Sequence, residues 1–402
     1  RDSQHLKINL SLLTLCPSVS LNLRKISIFA KSIVMKGLNV CLVSLLMIAM
    51  SHIAAGATIP VRGVVYDVGL NYSGTLSVAE FDSARVAYDM GVIRNILRCN
   101  SVRIEGEDID RLARASEIAS ANGLKVLFNP WKMNAGADET VRYMTDAAQT
   151  AQKLLEKNID IVFVAGCEYS MFSKGTIPGE TMMERMQWLM SLGQSPETAQ
   201  AKLQEMSDRL NHILADICKG VRRHFTGLLT YASLPMENVD WNLFDIVGID
   251  YYRTSESAEE YVAGIDRYRI GKPVWVMEVG CCGYKGAAKM GSNGYAIFKG
   301  TDAEGNAIYE GGVTPQRSEN EQADYVEEQI TLLDRAKVDG VFIFVFSFPV
   351  YPYDTEGIDY DMLSFALVKS FPAGDPHGKR IPSWVPKQAF YRLGSIYTAM
   401  DN

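Results

Sequence analysis

The sequence predicts an α/β fold, a (β/α)8 TIM barrel in a single domain, and three observations predict it. Apolar, β-branched runs alternate with helix-period segments from about residue 61 to residue 399, the pattern of a parallel sheet covered by helices. Eight such runs can be counted, each followed by a helical segment, and eight βα units close into a barrel. No Gly-rich phosphate turn follows the first run, where a doubly wound open sheet would carry one.

Taken in order, residues 61–66 read as strand 1, ending in Asp67, and helix-period sequence fills residues 78–97. Residues 101–104 are strand 2. Residues 108–122 are amphipathic, with Ile109, Leu112, Ala113 and Ile118 on one face, and Asn122-Gly123 stops the helix. Residues 124–128 are strand 3, closed by Asn129-Pro130, and residues 138–158 form a long helix. Strand 4 is Ile161-Val162-Phe163-Val164-Ala165-Gly166-Cys167-Glu168, a buried apolar run ending in an acid. A Met-, Gly- and Pro-rich insertion (169–196) and a long helix (196–225) follow, and then strand 5 at 227–231. Strand 6 spans 244–252, helical sequence spans 256–269, and strand 7 is Pro273-Val274-Trp275-Val276-Met277-Glu278-Val279-Gly280. A long loop at 279–318 holds a hairpin turned by Asp302-Ala303-Glu304-Gly305-Asn306. A helix at 319–336, strand 8 at 340–346, a loop to about 382 and a helix at 386–399 complete the chain. The long loops therefore follow strands 4, 7 and 8.

Composition narrows the class. The 402 residues are 47% apolar and 22% charged, which gives ample material for one core. No basic cluster or stripe appears, which argues against nucleic acid as a partner. The first methionine is Met35, and residues 1–34 read as an extension ahead of the true start. From Met35 the pattern is that of a secretory signal at 35–57: Lys36, an apolar stretch from Leu38 to Met50, and Ala55-Gly56-Ala57 of small-x-small form. That apolar stretch falls short of the roughly 20 residues needed to span a bilayer. The expected mature domain is 58–402, secreted and free of the membrane. It would keep 34 basic and 46 acidic residues, a formal charge of −12. Cys16 and Cys41 fall in the leader. Cys99, Cys167, Cys218, Cys281 and Cys282 remain, too few for a disulfide scaffold, though one bridge or a vicinal Cys281–Cys282 bond is open. No metal-ligand spacing is present, and neither a metal nor an organic cofactor is expected. Asn71-Tyr72-Ser73 is a glycosylation sequon. Nothing in the sequence fixes the oligomeric state.

The chemistry-bearing residues collect at strand ends, where parallel α/β folds bind ligands. Glu168 ends strand 4 and Glu278 ends strand 7. By strict alternation Glu168 shares a face with Val162, Val164 and Gly166, and Glu278 shares one with Val274 and Val276, leaving Trp275 on the helix side. In strand 6, Gly248, Asp250 and Tyr252 share one face. In strand 2, Arg103 ends an apolar run. Two carboxylates on two strands are the minimum equipment for glycoside hydrolysis, one as acid and one as nucleophile. An adjacent guanidinium and a tyrosine hydroxyl would keep the nucleophile ionised, and apolar surroundings would keep the acid protonated.

These positions resemble those of the large superfamily of (β/α)8 glycoside hydrolases with catalytic glutamates on strands 4 and 7 (clan A-like). On that resemblance Glu168 is the acid/base and Glu278 the nucleophile. Ser101-Val102-Arg103-Ile104 resembles the superfamily's strand-2 arginine motif. The segment Phe244-Asp245-Ile246-Val247-Gly248-Ile249-Asp250-Tyr251-Tyr252 resembles its strand-6 motif, whose tyrosine contacts the nucleophile. Alternation gives that role to Tyr252, with Tyr251 second. Where the superfamily has an asparagine before the acid/base, this chain has Cys167, and the usual strand-8 tryptophan is absent from Phe344-Val345-Phe346-Ser347. Within the superfamily the chain resembles a poorly characterised group labelled abortive infection proteins.

Supporting candidates are Asp250, Cys167, Trp131 as a stacking platform, and Asn129 and Asp67 at strand ends. Each has a plainer alternative. Arg103 could pair with Glu105 or Glu107 at the surface, Tyr252 and Trp131 could be packed aromatics, and Cys167 a buried thiol. Phe348, Tyr351 and Tyr353 could wall a sugar site or seal their loop. Met171, Met182, Met183, Met186 and Met190 suggest a lid or a packing layer, a methionine stripe being more often core. The expected partner is a carbohydrate. The competing function is a barrel of the same descent that binds glycan without cleaving it, or that serves in defence or interaction.

Overall fold

The eight strands lie parallel in the order β5-β4-β3-β2-β1-β8-β7-β6 in a computed structural model that describes residues 59–401 apart from 73, 195 and 373. The strands are β1 (Val61–Asp67), β2 (Ser101–Gly106), β3 (Lys125–Pro130), β4 (Ile161–Cys167), β5 (Leu228–Ala232), β6 (Val247–Asp250), β7 (Val274–Val279) and β8 (Gly340–Ile343). Only the seam between β5 and β6 lacks a full ladder. There Ser233 N–H donates to Gly248 O at 3.1 Å and Asp250 N–H to Ser233 O at 2.9 Å, which joins the sheet's ends. Gly248 permits this approach, because a Cβ in its place would stand 2.3 Å from Tyr231 O. The extension 1–34, the segment read as a signal, Cys16 and Cys41, and Ser73 of the sequon lie outside the described residues.

Helices α1 (Ser83–Asn95), α2 (Ile109–Ala121), α3 (Ala137–Glu156), α4 (Pro196–Val221), α5 (Ala258–Ala263), α6 (Glu319–Arg335) and α7 (Gln388–Met400) form the outer layer. The starts of α1, α2 and α6 are set by Asp82, Asp108 and Ser318, whose side chains accept the orphan N–H groups of the first turn. The expectation of a helix after every strand fails once: β5 is followed by a single 3-10 turn, Trp241–Leu243. The connection of 14 residues from β5 to β6 is too short to hold a packed helix as well. The helical stretch expected at 256–269 is α5 continued by a 3-10 turn. The hairpin pairs Phe298–Thr301 with Ala307–Tyr309.

Two apolar layers result. Val64, Val102, Ile104, Val126, Phe128, Phe163, Val274 and Val276 pack against the helices. Val65, Leu127, Val162, Val164, Cys167, Trp275, Met277 and Phe342 fill the barrel. Trp275 thus points into the barrel against Phe342, and Val274 and Val276 point out, the reverse of the alternation expected for strand 7. Glu278 nonetheless reaches the barrel mouth because β7 carries an extra residue at Met277–Glu278 relative to both neighbours. β4 carries one as well, between Val164 and Cys167. Bulges of this kind re-aim side chains next to active sites.

The loops after β7 and β8 are stapled together beneath the mouth. Arg317 bonds Asp359 and Asp361 at 2.7 Å each, and buried Lys387 meets Asp361 at 2.9 Å. All five described cysteines are buried and unpaired. Among the described residues no helix is long and apolar enough to cross a membrane.

Candidate active site

Arg103 is the centre of the mouth. It is fully buried, and its Nη1 donates to Glu278 Oε1 at 2.9 Å and to Met277 O at 3.1 Å. Its Nε donates to Asn129 Oδ1 at 2.9 Å. Nη2 lies 3.5 Å from Glu105 Oε2, and Nη1 lies 3.9 Å from Asp250 Oδ1. One guanidinium therefore serves three buried carboxyls. Burial opposes its charge, but Cys167, Glu278, Glu105 and Asp250 raise its pKa well beyond the ordinary arginine value. The surface pairing with Glu105 or Glu107 is excluded by this burial.

Glu278 is held from its other side by Tyr252, whose hydroxyl donates to Oε2 at 2.9 Å. The carboxylate thus has a guanidinium on one oxygen and a phenol on the other. Tyr251 is turned away. It stacks on Tyr261 of α5 at 4.6 Å, and its hydroxyl donates to Tyr261 O at 3.0 Å, so strand alternation carries it to the helix layer.

Glu168 follows the β4 bulge in a left-handed backbone conformation, φ 45° and ψ 47°. Gly166, at φ 117°, makes the preceding kink, and a Cβ there would lie 2.0 Å from Tyr169 Cζ. Burial holds the Glu168 carboxyl well above the usual carboxylate range, reinforced by the charges of Asp250, Glu278 and Glu237. Burial likewise raises Asp250 and Glu105, with the charge of Glu278 adding to each and Arg103 opposing. The site thus holds one carboxyl, Glu168, suited to donate a proton and a second, Glu278, bonded to the arginine.

The remaining candidates sit as follows. Cys167 faces the barrel, with Sγ 3.5 Å from Asp250 Oδ2 and 3.6 Å from Glu278 Oε1. Asn129 orients Arg103. Trp131 packs edge-on to Phe172 at 4.9 Å, with its indole N–H unpartnered. Asp67 accepts from Gly69 N–H at 2.7 Å, and burial pushes it up to about 6. Several buried polar atoms here make no hydrogen bond: Asp67 Oδ2, Asn129 Nδ2 and Trp131 Nε1, and also Arg103 Nη2, Glu105 Oε2 and Asp250 Oδ1, whose contacts are the longer ion pairs. In a folded protein such atoms are the exception. Cys167, Asp250 and Glu278 each bring a potential ligand atom within 4.8 Å of the others. Arg103 already stands against two of them, and its fixed positive charge opposes a metal ion there.

Residues that the sequence reading passed over also belong here. Glu105 lies two positions beyond Arg103 on β2, and alternation alone could have found it. Tyr72 lies within the electrostatic reach of Asp67, Glu105, Glu278 and Cys167, and meets Phe348 edge-on at 6.0 Å. Tyr295, in the loop after β7, lies within reach of Glu168, and its hydroxyl donates to Met186 Sδ at 3.7 Å. Met186 belongs to the helix Met182–Ser191, which crosses from the loop after β4. Its methionines are not core: Met183 and Met190 are 55% and 71% exposed, and the buried anchor is Arg185. That side chain bonds Met171 O at 2.7 Å and Asn134 Oδ1 at 2.6 Å. Tyr353 is spent on Arg317 and Lys369, each 4.8 Å from its ring.

Among solved structures, the chain is similar to a GH113 β-1,4-mannanase, with 16% identity, TM-score 0.52, and coverage of 85% of this chain and 99% of that one. It is also similar to the GH113 β-mannanase AaManA from Alicyclobacillus acidocaldarius in complex with ManMIm, with 16% identity, TM-score 0.50, and coverage of 85% and 97%. A β-glucuronidase from Parabacteroides merdae shares the architecture at 10% identity and TM-score 0.51, covering 84% of this chain and 38% of that one. At these identities the likeness is one of fold, and the fold is that of glycoside hydrolase barrels. No family model and no curated protein matches the chain, so the narrower resemblance to abortive infection proteins gains no support.

Proposed function

We propose that the protein is a secreted, retaining glycoside hydrolase, with Glu278 as nucleophile and Glu168 as acid and then base. The observation that carries the reading is the arrangement at Glu278. A buried carboxylate with Arg103 and Tyr252 each at 2.9 Å suits attack on an anomeric carbon. Glu168, on another strand and favouring its protonated form, suits protonation of the leaving oxygen. In the first step Glu278 bonds to the anomeric carbon as Glu168 gives its proton to the departing oxygen. In the second, Glu168 takes a proton from water, which displaces Glu278. The donors and acceptors around Arg103 that make no hydrogen bond suit the hydroxyls of a sugar ring, and a carbohydrate partner follows. Secretion rests on the leader-like pattern at 35–57.

The test is turnover of a panel of activated aryl glycosides and polysaccharides, run beside Glu278→Gln. A matched 2-deoxy-2-fluoro glycoside should label Glu278, seen by mass spectrometry of peptides. Turnover surviving undiminished in Glu278→Gln, or a label on another residue, would remove the assignment.

A further inference from the structure

Glu237 lies in the loop after β5, is 5% exposed, and has no place in the chemistry above. Its environment is unusual, because four donors converge on it and no acceptor does. Ser170 N–H donates to Oε1 at 3.0 Å and Ser170 Oγ at 2.5 Å. Leu234 N–H and Tyr231 OH each donate to Oε2 at 3.0 Å. The Tyr231 hydroxyl must spend its proton on Glu237, because its oxygen already accepts Tyr169 N–H at 2.7 Å. The two amides can only donate and the two hydroxyls can donate as well, so these bonds favour the ionised carboxylate against burial, which pushes its pKa upward.

Three of these bonds end on the segment that carries Glu168, at Tyr169 N–H, Ser170 N–H and Ser170 Oγ. Glu168 N–H goes to Ala232 O at 2.8 Å, Tyr169 N–H to Tyr231 OH and Ser170 N–H to Glu237. Three consecutive amides are thus held by β5 and its loop. The left-handed conformation of Glu168 is unfavourable for a non-glycine residue and persists only where its surroundings over-determine it. Here the surroundings that do so include Glu237.

We propose, building on the reading of Glu168 as acid/base, that Glu237 is its positioning residue: it fixes the turn that aims Glu168 and sets a fixed negative charge behind it. The other charged or titratable groups within reach of Glu168 are Cys167 from β4, Asp250 from β6 and Tyr252 just after it, Glu278 from β7, Arg103 from β2, and Tyr295 from the loop after β7. Glu237 is the one among them that also bonds the backbone just after Glu168, at Ser170 N–H.

The test uses the full chain carrying Glu237→Gln. Its amide keeps one acceptor for Ser170 but turns a donor toward Tyr231 and Leu234. On an aryl glycoside with a poor leaving group, kcat should fall roughly 10- to 100-fold with KM held within about twofold, as expected for a misplaced catalytic group. The alkaline limb of kcat/KM should move to lower pH, because a negative charge beside Glu168 is gone. Ser170→Ala, which keeps the carboxylate, should lower kcat less and leave that limb in place. A folded Glu237→Gln with kcat and alkaline limb both as in the unmodified chain overturns the proposal. If Glu237→Gln does not fold, Tyr231→Phe decides: kcat should fall at constant KM, and an unchanged kcat overturns it. If the unmodified chain cleaves no glycoside, the reading under Proposed function fails by itself. Glu168 is then titrated by NMR with 13C-labelled glutamate, its resonance identified with Glu168→Gln. A lower midpoint in Glu237→Gln (or in Glu237→Ala, where the glutamine variant does not fold) supports the proposal, and an unmoved one overturns it.

Discussion

Arg103 offers the sharpest test of the site's electrostatics, because the sharing around it is unequal. The guanidinium has three carboxyl neighbours, Glu278 at 2.9 Å, Glu105 at 3.5 Å and Asp250 at 3.9 Å. For Glu105 and Asp250, Arg103 is the cation that opposes the upward push of burial, and Glu278 is ion-paired to it. Arg103→Met, close in length and apolar, removes the whole counter-charge and leaves buried carboxyls uncompensated. Breaking a buried pair from one side costs about 3–5 kcal/mol. Glu278→Gln removes only one of three partners, and Arg103 keeps Glu105, Asp250, Asn129 Oδ1 and Met277 O. A single charged hydrogen bond is worth about 1.5–3 kcal/mol, so this variant should cost about half as much. The double variant leaves neither buried charge of that pair unanswered and should be more stable than Arg103→Met alone, with a coupling of about 1–3 kcal/mol. Urea unfolding at pH 7 measures all three, with the m-value required to stay constant. Equal losses in the two single variants, or a double variant that equals their sum, would refute a shared guanidinium.

Other outcomes follow from the same geometry. As a general acid with a raised pKa, Glu168 should sustain kcat/KM past the pH at which an ordinary carboxyl has ionised, and the rate should fall as pH rises through that raised value. Glu168→Gln should abolish this limb while sparing part of the turnover of glycosides with activated leaving groups, and a limb that persists in the variant would discount Glu168. Asp89 is 2% exposed and accepts from Tyr66 OH and Trp384 Nε1 at 2.8 Å each, and burial pushes it from 3.8 up to about 6. A raised folded pKa means stability that is complete below the unfolded value and lost as pH rises through about 6, worth about 3 kcal/mol at neutral pH. Asp89→Asn should therefore gain on the unmodified chain between pH 4 and 7 in thermal or urea unfolding, and a pH-independent difference would reject this. Arg103 is already shared by Glu278, Glu105 and Asp250, so a sugar acid would find no unshared cation beside it and should be disfavoured. An aryl glucuronide should turn over at least about 100-fold more slowly than the matching glucoside, like charges in a closed site costing several kcal/mol, and comparable rates would contradict the charge balance.

Much of this was legible in one dimension. Strand and helix periods survive in any context that buries one face, so the eight strands, their order and their approximate ends could be read from apolar runs. Glu168, Glu278, Arg103 and Tyr252 could be found because each ends such a run. Glu105 stood in the same pattern, two residues after Arg103, and needed only the alternation already applied to β6. Tyr72, Tyr295 and Glu237 carried no such signal. They lie in the connections between barrel elements, on pieces too short or irregular for either period to show, and chain reversal brings them to the mouth from positions far apart in sequence.

By itself the sequence determined the barrel, because a parallel sheet with both faces covered demands continuous apolar strands separated by amphipathic helices, and few other patterns satisfy that demand. Tertiary structure alone decided which way the site residues point. Strict alternation put Trp275 outside and placed Glu278 with Val274 and Val276, yet those valines face the helices. The extra residue in β7 turns Glu278 inward, and the one in β4 brings Cys167 into the barrel and sets Glu168 in its left-handed turn. A bulge is a fact about two strands, the bulged one and the neighbour that it slips against. No periodicity within either strand records it.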